Sequence, residues 1–234
     1  MKKIVFMLWS TMLLMTSCSV DETYSCDPTV DDWIKANYAQ LQDITRVEFL
    51  NLPNGDIQRA TFRAVSQQKR IELWLLKIDE LLELPWTTAE KEHIDLLKDL
   101  IKTNSDWFQD RSSLHSNEIQ FIEDELVLTM YAWADYARME FDWADQTLYA
   151  LVGTLDSVNS LESLQKEIGK TRSNITIAPG DEPIVYNDDC DCNLTYTFCK
   201  TGVTTCQENN CGPDPDFGCG WLWAFECNGK CKPI

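Results

Sequence analysis

Eight of the chain's ten cysteines crowd into its last 45 residues, and none occurs between positions 27 and 189. The eight are Cys190, Cys192, Cys199, Cys206, Cys211, Cys219, Cys227 and Cys231. In an exported chain such a cluster is a disulfide framework, because so short a segment cannot bury enough apolar surface to fold on its core alone. Each bridge typically contributes about 2–4 kcal/mol, chiefly by restricting the unfolded chain. The pairing stays open at this point. Zinc is the rival use of so many thiols. Cys227-x3-Cys231 has a zinc-like spacing, but Cys190-x-Cys192 is tighter and the segment holds no histidine. Cys26 is odd in number, and the sequence allows a reduced thiol, a bridge between molecules or a bridge to the tail.

The N-terminus sets the compartment. Met1-Lys2-Lys3 is a short basic start, followed by an almost uncharged apolar run from Ile4 to Met15. That run is too short for a comfortable bilayer span and fits the apolar region of a signal peptide. It ends Leu14-Met15-Thr16-Ser17-Cys18, which resembles a bacterial lipobox, so Cys18 is the expected lipidation site. An acylated Cys18 would anchor the protein in a membrane as an exported lipoprotein. Ser19 after it favours the outer membrane or cell surface.

Charge excludes whole classes of partner. Twenty Lys and Arg face 38 Asp and Glu, a formal net charge of −18. A nucleic-acid binder needs basic residues clustered on one face, and none is expected here. A polybasic membrane patch is excluded on the same ground. A hydrophobic content of 44% with 11% aromatics is too high for a disordered chain.

Residues 29–168 read as helices. Thr29 precedes an acidic first turn at Asp31 and Asp32, and Leu52-Pro53-Asn54-Gly55 is a turn. From Ser66 the apolar positions Ile71, Trp74, Leu75, Ile78 and Leu82 recur every three or four residues. Thr87-Thr88-Ala89-Glu90 is a capping box, and Ile94, Leu97 and Ile101 form the buried face behind it. The longest helix is expected from Ser116 or Asn117, its stripe continuing through Leu126, Met130 and Trp133 to Leu148 and Leu151. A shorter helix near 160–168 would stop at Gly169. Between helices, 104–115 is expected to be a loop plugged by aromatic side chains.

The organisation predicted is a signal peptide (1–17), a tether (18–28), a helical domain (29–168), a linker (169–189) and a Cys-rich module (190–234). The linker carries two prolines and two glycines, although Ile175–Ile177 and Ile184–Tyr186 would also suit short strands. The fold class is mainly α: an irregular helical bundle followed by a small disulfide-rich, loop and β module.

Catalytic patterns are missing. There is no Gly-x-Ser-x-Gly elbow, His-Glu-x-x-His helix or glycine-rich phosphate loop, so no enzyme and no cofactor is expected. His93 and His115 are the only histidines, and both read as ordinary helix-flank residues. Glu123-Asp124-Glu125 reads as a solvated face. Asp135, Asp142 and Asp145, set among Trp133, Tyr136, Trp143 and Tyr149, read as neighbours of a core stripe. Asp214-x-Asp216-x-Gly218 lacks the glutamate that an EF-hand calcium loop needs at its twelfth position. The dense group Phe217, Trp221, Trp223 and Phe225 is more than 45 residues bury easily. With Lys230 and Lys232 beside it, Trp221, Trp223 and Phe225 are candidates for an exposed contact with a glycan, lipid interface or protein receptor. A mini-core over the disulfides is the alternative.

Cys190-Asp191-Cys192, Thr197-Phe198-Cys199-Lys200-Thr201-Gly202, Gly218-Cys219-Gly220 and Cys227-Asn228-Gly229 resemble the fulvocin C-related bacteriocin family. Upstream, Cys26-Asp27-Pro28 with Trp33, and Leu84-Pro85-Trp86-Thr87 with Glu90-Lys91, are similar to lipoprotein-like members of that group. The resemblance implies an exported precursor whose Cys-rich module is an antibacterial peptide, released by cleavage in the linker and directed at a target-cell surface. The alternative is a surface-anchored binding module without toxicity. Neither implies a catalytic residue.

Overall fold

A computed structural model describes residues 22–161, 192–194, 204–208 and 217–233. They hold seven α-helices and one two-stranded sheet. The helices are α1 (Pro28–Leu41), α2 (Arg46–Leu50), α3 (Gly55–Ala64), α4 (Gln67–Leu82), α5 (Thr88–Thr103), α6 (Ser116–Phe141) and α7 (Asp145–Leu148). Strands β1 (Thr204–Glu208) and β2 (Gly229–Pro233) run antiparallel with Cys206 opposite Cys231. The chain is a helical bundle with a small disulfide-containing β region, as its sequence predicts. No helix among the described residues is long and apolar enough to cross a membrane.

Local chemistry sets most helix starts. Ser66 caps α4 by accepting the Lys69 backbone N–H. Thr87 and Glu90 form the expected reciprocal box at α5, the Thr87 N–H donating to the Glu90 carboxylate over 2.8 Å. α1 begins one residue earlier than expected, at Pro28, because Asp27 accepts the Thr29 N–H and Pro suits the first helical position. α6 begins at Ser116, as expected, behind the cap residue His115, whose backbone N–H donates to the Glu118 carboxylate.

The end of α6 departs further from expectation. The apolar stripe continues to Leu151, but the helix stops at Phe141, where Asp142 takes a left-handed conformation (φ 54°). Aspartate tolerates this region better than most residues. Trp143 then folds back: its ring lies 5.3 Å from Trp86, and its indole N–H donates to the Glu90 carboxylate over 2.9 Å. The rest of the stripe survives as α7 and a π-turn at Tyr149–Gly153, which still bury Leu148 and Leu151. In the predicted loop after α5, a 3-10 turn (Ser105–Phe108) sinks Trp107 and Phe108 completely into the core. The helix expected near 160–168 and the linker at 169–189 lie, beyond Leu161, outside the described residues.

The tail corrects the expectation of exposed aromatic side chains. Trp221, Trp223 and Phe225 are only 3%, 5% and 1% exposed and belong to the same apolar core as the helices. The Trp223 ring meets Phe62 edge-on at 5.5 Å and Phe49 at 6.3 Å, and its Nε1–H donates to the Gly153 carbonyl over 3.0 Å. Trp221 packs against Tyr131 of α6. These residues are therefore not a contact surface. A 45-residue segment with too many aromatics has buried them in its larger neighbour, which removes more apolar area from water than exposure would. Lys230 and Lys232 lie on β2, half-buried.

Three arginines fasten the insertion. Arg63, buried on α3, donates from Nε to the Phe217 carbonyl, from Nη1 to the Tyr24 carbonyl (2.9 Å) and from Nη2 to Cys227 Sγ (3.1 Å). Arg111 donates to the Ala224 carbonyl over 2.7 Å and pairs with Glu123. The Arg70 and Arg111 guanidiniums both stack on the Phe217 ring, at 4.4 and 5.1 Å. Gly220 has φ +69°, and a Cβ there would come within 2.6 Å of Phe225 Cδ2, so only glycine lets the turn close.

Candidate ligand groove

α5 and α6 each bury one apolar face in the bundle and expose a second one. The α5 wall is Ala89, Leu96 and Leu100, placed seven and four residues apart beside the buried Ile94, Leu97 and Ile101. The α6 wall is Leu128, Ala132 and Tyr136, spaced by four. Between them lies an open groove of ≈ 750 Å³, within the usual size of small-ligand sites. Leu128 is 72% exposed, although a leucine is ordinarily placed inside.

The floor is rigid. His93 is buried and stacks on Trp133 at 4.8 Å with the rings nearly parallel, while Phe141 meets it edge-on at 5.4 Å. His93 Nε2 lies 3.0 Å from the Trp133 carbonyl, and the Trp133 indole N–H donates to the His93 carbonyl over 3.0 Å. A carbonyl only accepts, so Nε2 carries the imidazole proton. Burial lowers the His93 pKa below the ordinary histidine value, outweighing the bond to Trp133, which favours the charged form. The ring is thus a neutral stacking surface that staples α5 to α6. The expectation of an ordinary helix-flank residue is corrected here, because Trp133 closes over the ring.

The rim is acidic. Glu92 belongs to the lining, and no Lys or Arg does. Glu125 is exposed one turn before Leu128 and Thr129 on the same face of α6. Asp99 is exposed beside Leu100 and pairs with Lys102 at 3.6 Å.

Of the sequence-derived sites, Cys192 is bridged to Cys206 and Cys219 to Cys227, and Cys231 is also disulfide-bonded. Cys26 packs against the Cys219–Cys227 bridge. Cys18, Cys190, Cys199 and Cys211 lie outside the described residues. Asp135 and Asp145 both pair with Arg138, at 2.6 and 3.0 Å, which makes them a surface ion-pair network. Asp142 ends α6. Glu123 is half-buried against Arg111, and burial raises its pKa despite the guanidinium. No group of three His, Cys, Asp or Glu among the described residues is placed to hold a metal ion.

Of the groove's apolar wall residues the sequence points only to Tyr136, and there as part of a core stripe. The available signal was a second apolar row on helices already supplied with one: Leu96 and Leu100 on α5, and Phe121, Leu128, Tyr136 and Met139 on α6. No protein-family model matches the chain, and neither a curated protein nor a solved structure matches it.

Proposed function

We propose that the chain is an exported, lipid-tethered binding protein that takes an apolar ligand in the α5/α6 groove and keeps its Cys-rich tail as a permanent strut. The groove carries this reading: an apolar trough on a floor fixed by reciprocal His93–Trp133 bonds, its wall leucine left in water. Export and anchoring rest on the signal-like N-terminus and Cys18. The test uses the neutral dye N-phenyl-1-naphthylamine, whose fluorescence rises in apolar sites. The wild-type chain should enhance it, and Leu128→Gln should cut that enhancement at least fivefold with helicity unchanged by circular dichroism. Equal enhancement in both proteins would overturn the assignment.

A second reading, a bacteriocin-like precursor that releases an antibacterial tail, is favoured by one observation. The Cys192–Cys206 and Cys219–Cys227 bridges both close within the tail, so a single cut upstream of Cys192 would leave these segments in one covalent piece. The burial of Trp221, Trp223 and Phe225 in the helical core weighs against release.

A further inference from the structure

Resting on the groove reading above, we propose that the natural occupant is a cationic amphipathic helix of another protein or peptide. The shape of the apolar surface comes first. The α5 wall runs from Ala89 to Leu100, ~16 Å of helix, and the cavity ends with it. The apolar row of α6 does not. Phe121, Leu128, Ala132, Tyr136 and Met139 follow at steps of seven, four, four and three, a stripe of ~27 Å. Its outer members, Phe121 and Met139, are 70% and 78% exposed. The cavity reaches Phe141 but stops at Leu128, so a small molecule or a single acyl chain that fills it leaves the Phe121 end of this stripe in water. An apolar helix face of about five turns covers it, in the manner of helix-in-groove recognition.

Charge then selects among elongated occupants. Glu118, Glu125 and Glu140 are exposed on the stripe side of α6, and Glu92 and Asp99 are exposed, seven residues apart, along α5. A second copy of the chain is disfavoured, since antiparallel pairing of two α6 helices about Thr129 would bring Glu118 opposite Glu140. An anionic lipid surface meets the same repulsion. Lys and Arg flanking an apolar stripe would instead meet acids along both helices, and a chain of net charge −18 would speed their encounter.

The experiment measures fluorescence anisotropy of labelled 18-residue peptides with the full-length protein. One peptide places leucines at helical spacing among lysines, one replaces every lysine with glutamate, and one scrambles the Leu/Lys sequence to destroy the stripe. The Leu/Lys helix should bind at least tenfold tighter than either control. Leu128→Gln should weaken it tenfold or more, and Glu92→Lys with Glu125→Lys should reverse the preference toward the Leu/Glu peptide. Equal binding of the scrambled peptide, or of the Leu/Glu peptide, would overturn the proposal. So would a dimer in sedimentation that Leu128→Gln dissociates, because a second copy would then cover the stripe. Dye bound without any peptide would refute the helical occupant and leave the groove reading standing; neither bound would end both.

Discussion

Lys77 is completely buried on α4, beneath the π-turn, where its Nζ donates to the carbonyls of Ala150 (2.6 Å) and Thr154. Burial pushes its pKa down to about 7, and the nearby Arg46 pushes the same way, against Asp156 and Glu80. The amine keeps enough N–H groups to serve both carbonyls after losing its proton. In the unfolded chain the group titrates near 10.4. Between about pH 7 and pH 10 the unfolded state therefore binds more protons than the folded one. Stability should rise with pH through that window, by at most ~1.4 kcal/mol per unit, and the gain is lost as pH falls toward 7. Urea midpoints at pH 7, 8 and 9 should climb for the wild type and flatten for Lys77→Met; parallel slopes would show that another group titrates. Nothing in the sequence marks this lysine, because its acceptors lie 73 and 77 residues downstream. The histidine was missed for a similar reason. Glu92-His93-Ile94 looks like a helix flank until Trp133, 40 residues away, closes over it.

Helix starts were legible at Ser66 and at Thr87 with Glu90, where the cap lies three residues from its partner. Those of α1 and α2 were not legible, because Asp27 and Thr45 cap as closely without standing out from the polar residues around them. The end of α6 was not, since the apolar spacing runs on through Ala144, Leu148 and Leu151 without interruption. What breaks the helix is tertiary: Trp143 bonds Glu90 in the first turn of α5, and the chain must reverse at Asp142 to let it. The tail turn was half legible. Its excess of aromatics was visible in the sequence, but periodicity reports that a face is apolar without saying what covers it. A direct test separates burial from surface contact. Trp223→Ala removes a ring packed on Phe49 and Phe62 and leaves the Gly153 carbonyl without its donor, so it should cost ~3–5 kcal/mol in denaturant unfolding. An exposed tryptophan would cost under about 0.5 kcal/mol.

For the molecule as a whole, the mainly helical class and the disulfide-rich end were readable from periodicity and cysteine spacing. Their fusion into one core was not, because contacts such as Arg63 to Cys227 span 164 positions that no local pattern connects. Fusion has a consequence for processing. Three aromatic side chains, each worth roughly 1.5–3 kcal/mol when buried, would hold a nicked tail in place without a peptide bond. Limited proteolysis between 162 and 191 should therefore give two fragments that still co-elute in non-reducing size exclusion and part only in denaturant. A tail that elutes alone after cutting would overturn the strut and support the released peptide.

Arg63 gives that arrangement a mechanical character. One guanidinium grips the backbone at Tyr24, just before α1, and at Phe217 and the Cys227 sulfur in the tail. Tension on the segment before α1 would thus be divided between α1 itself, where the Tyr24 N–H donates to Asp31, and, through Arg63 of α3, the tail.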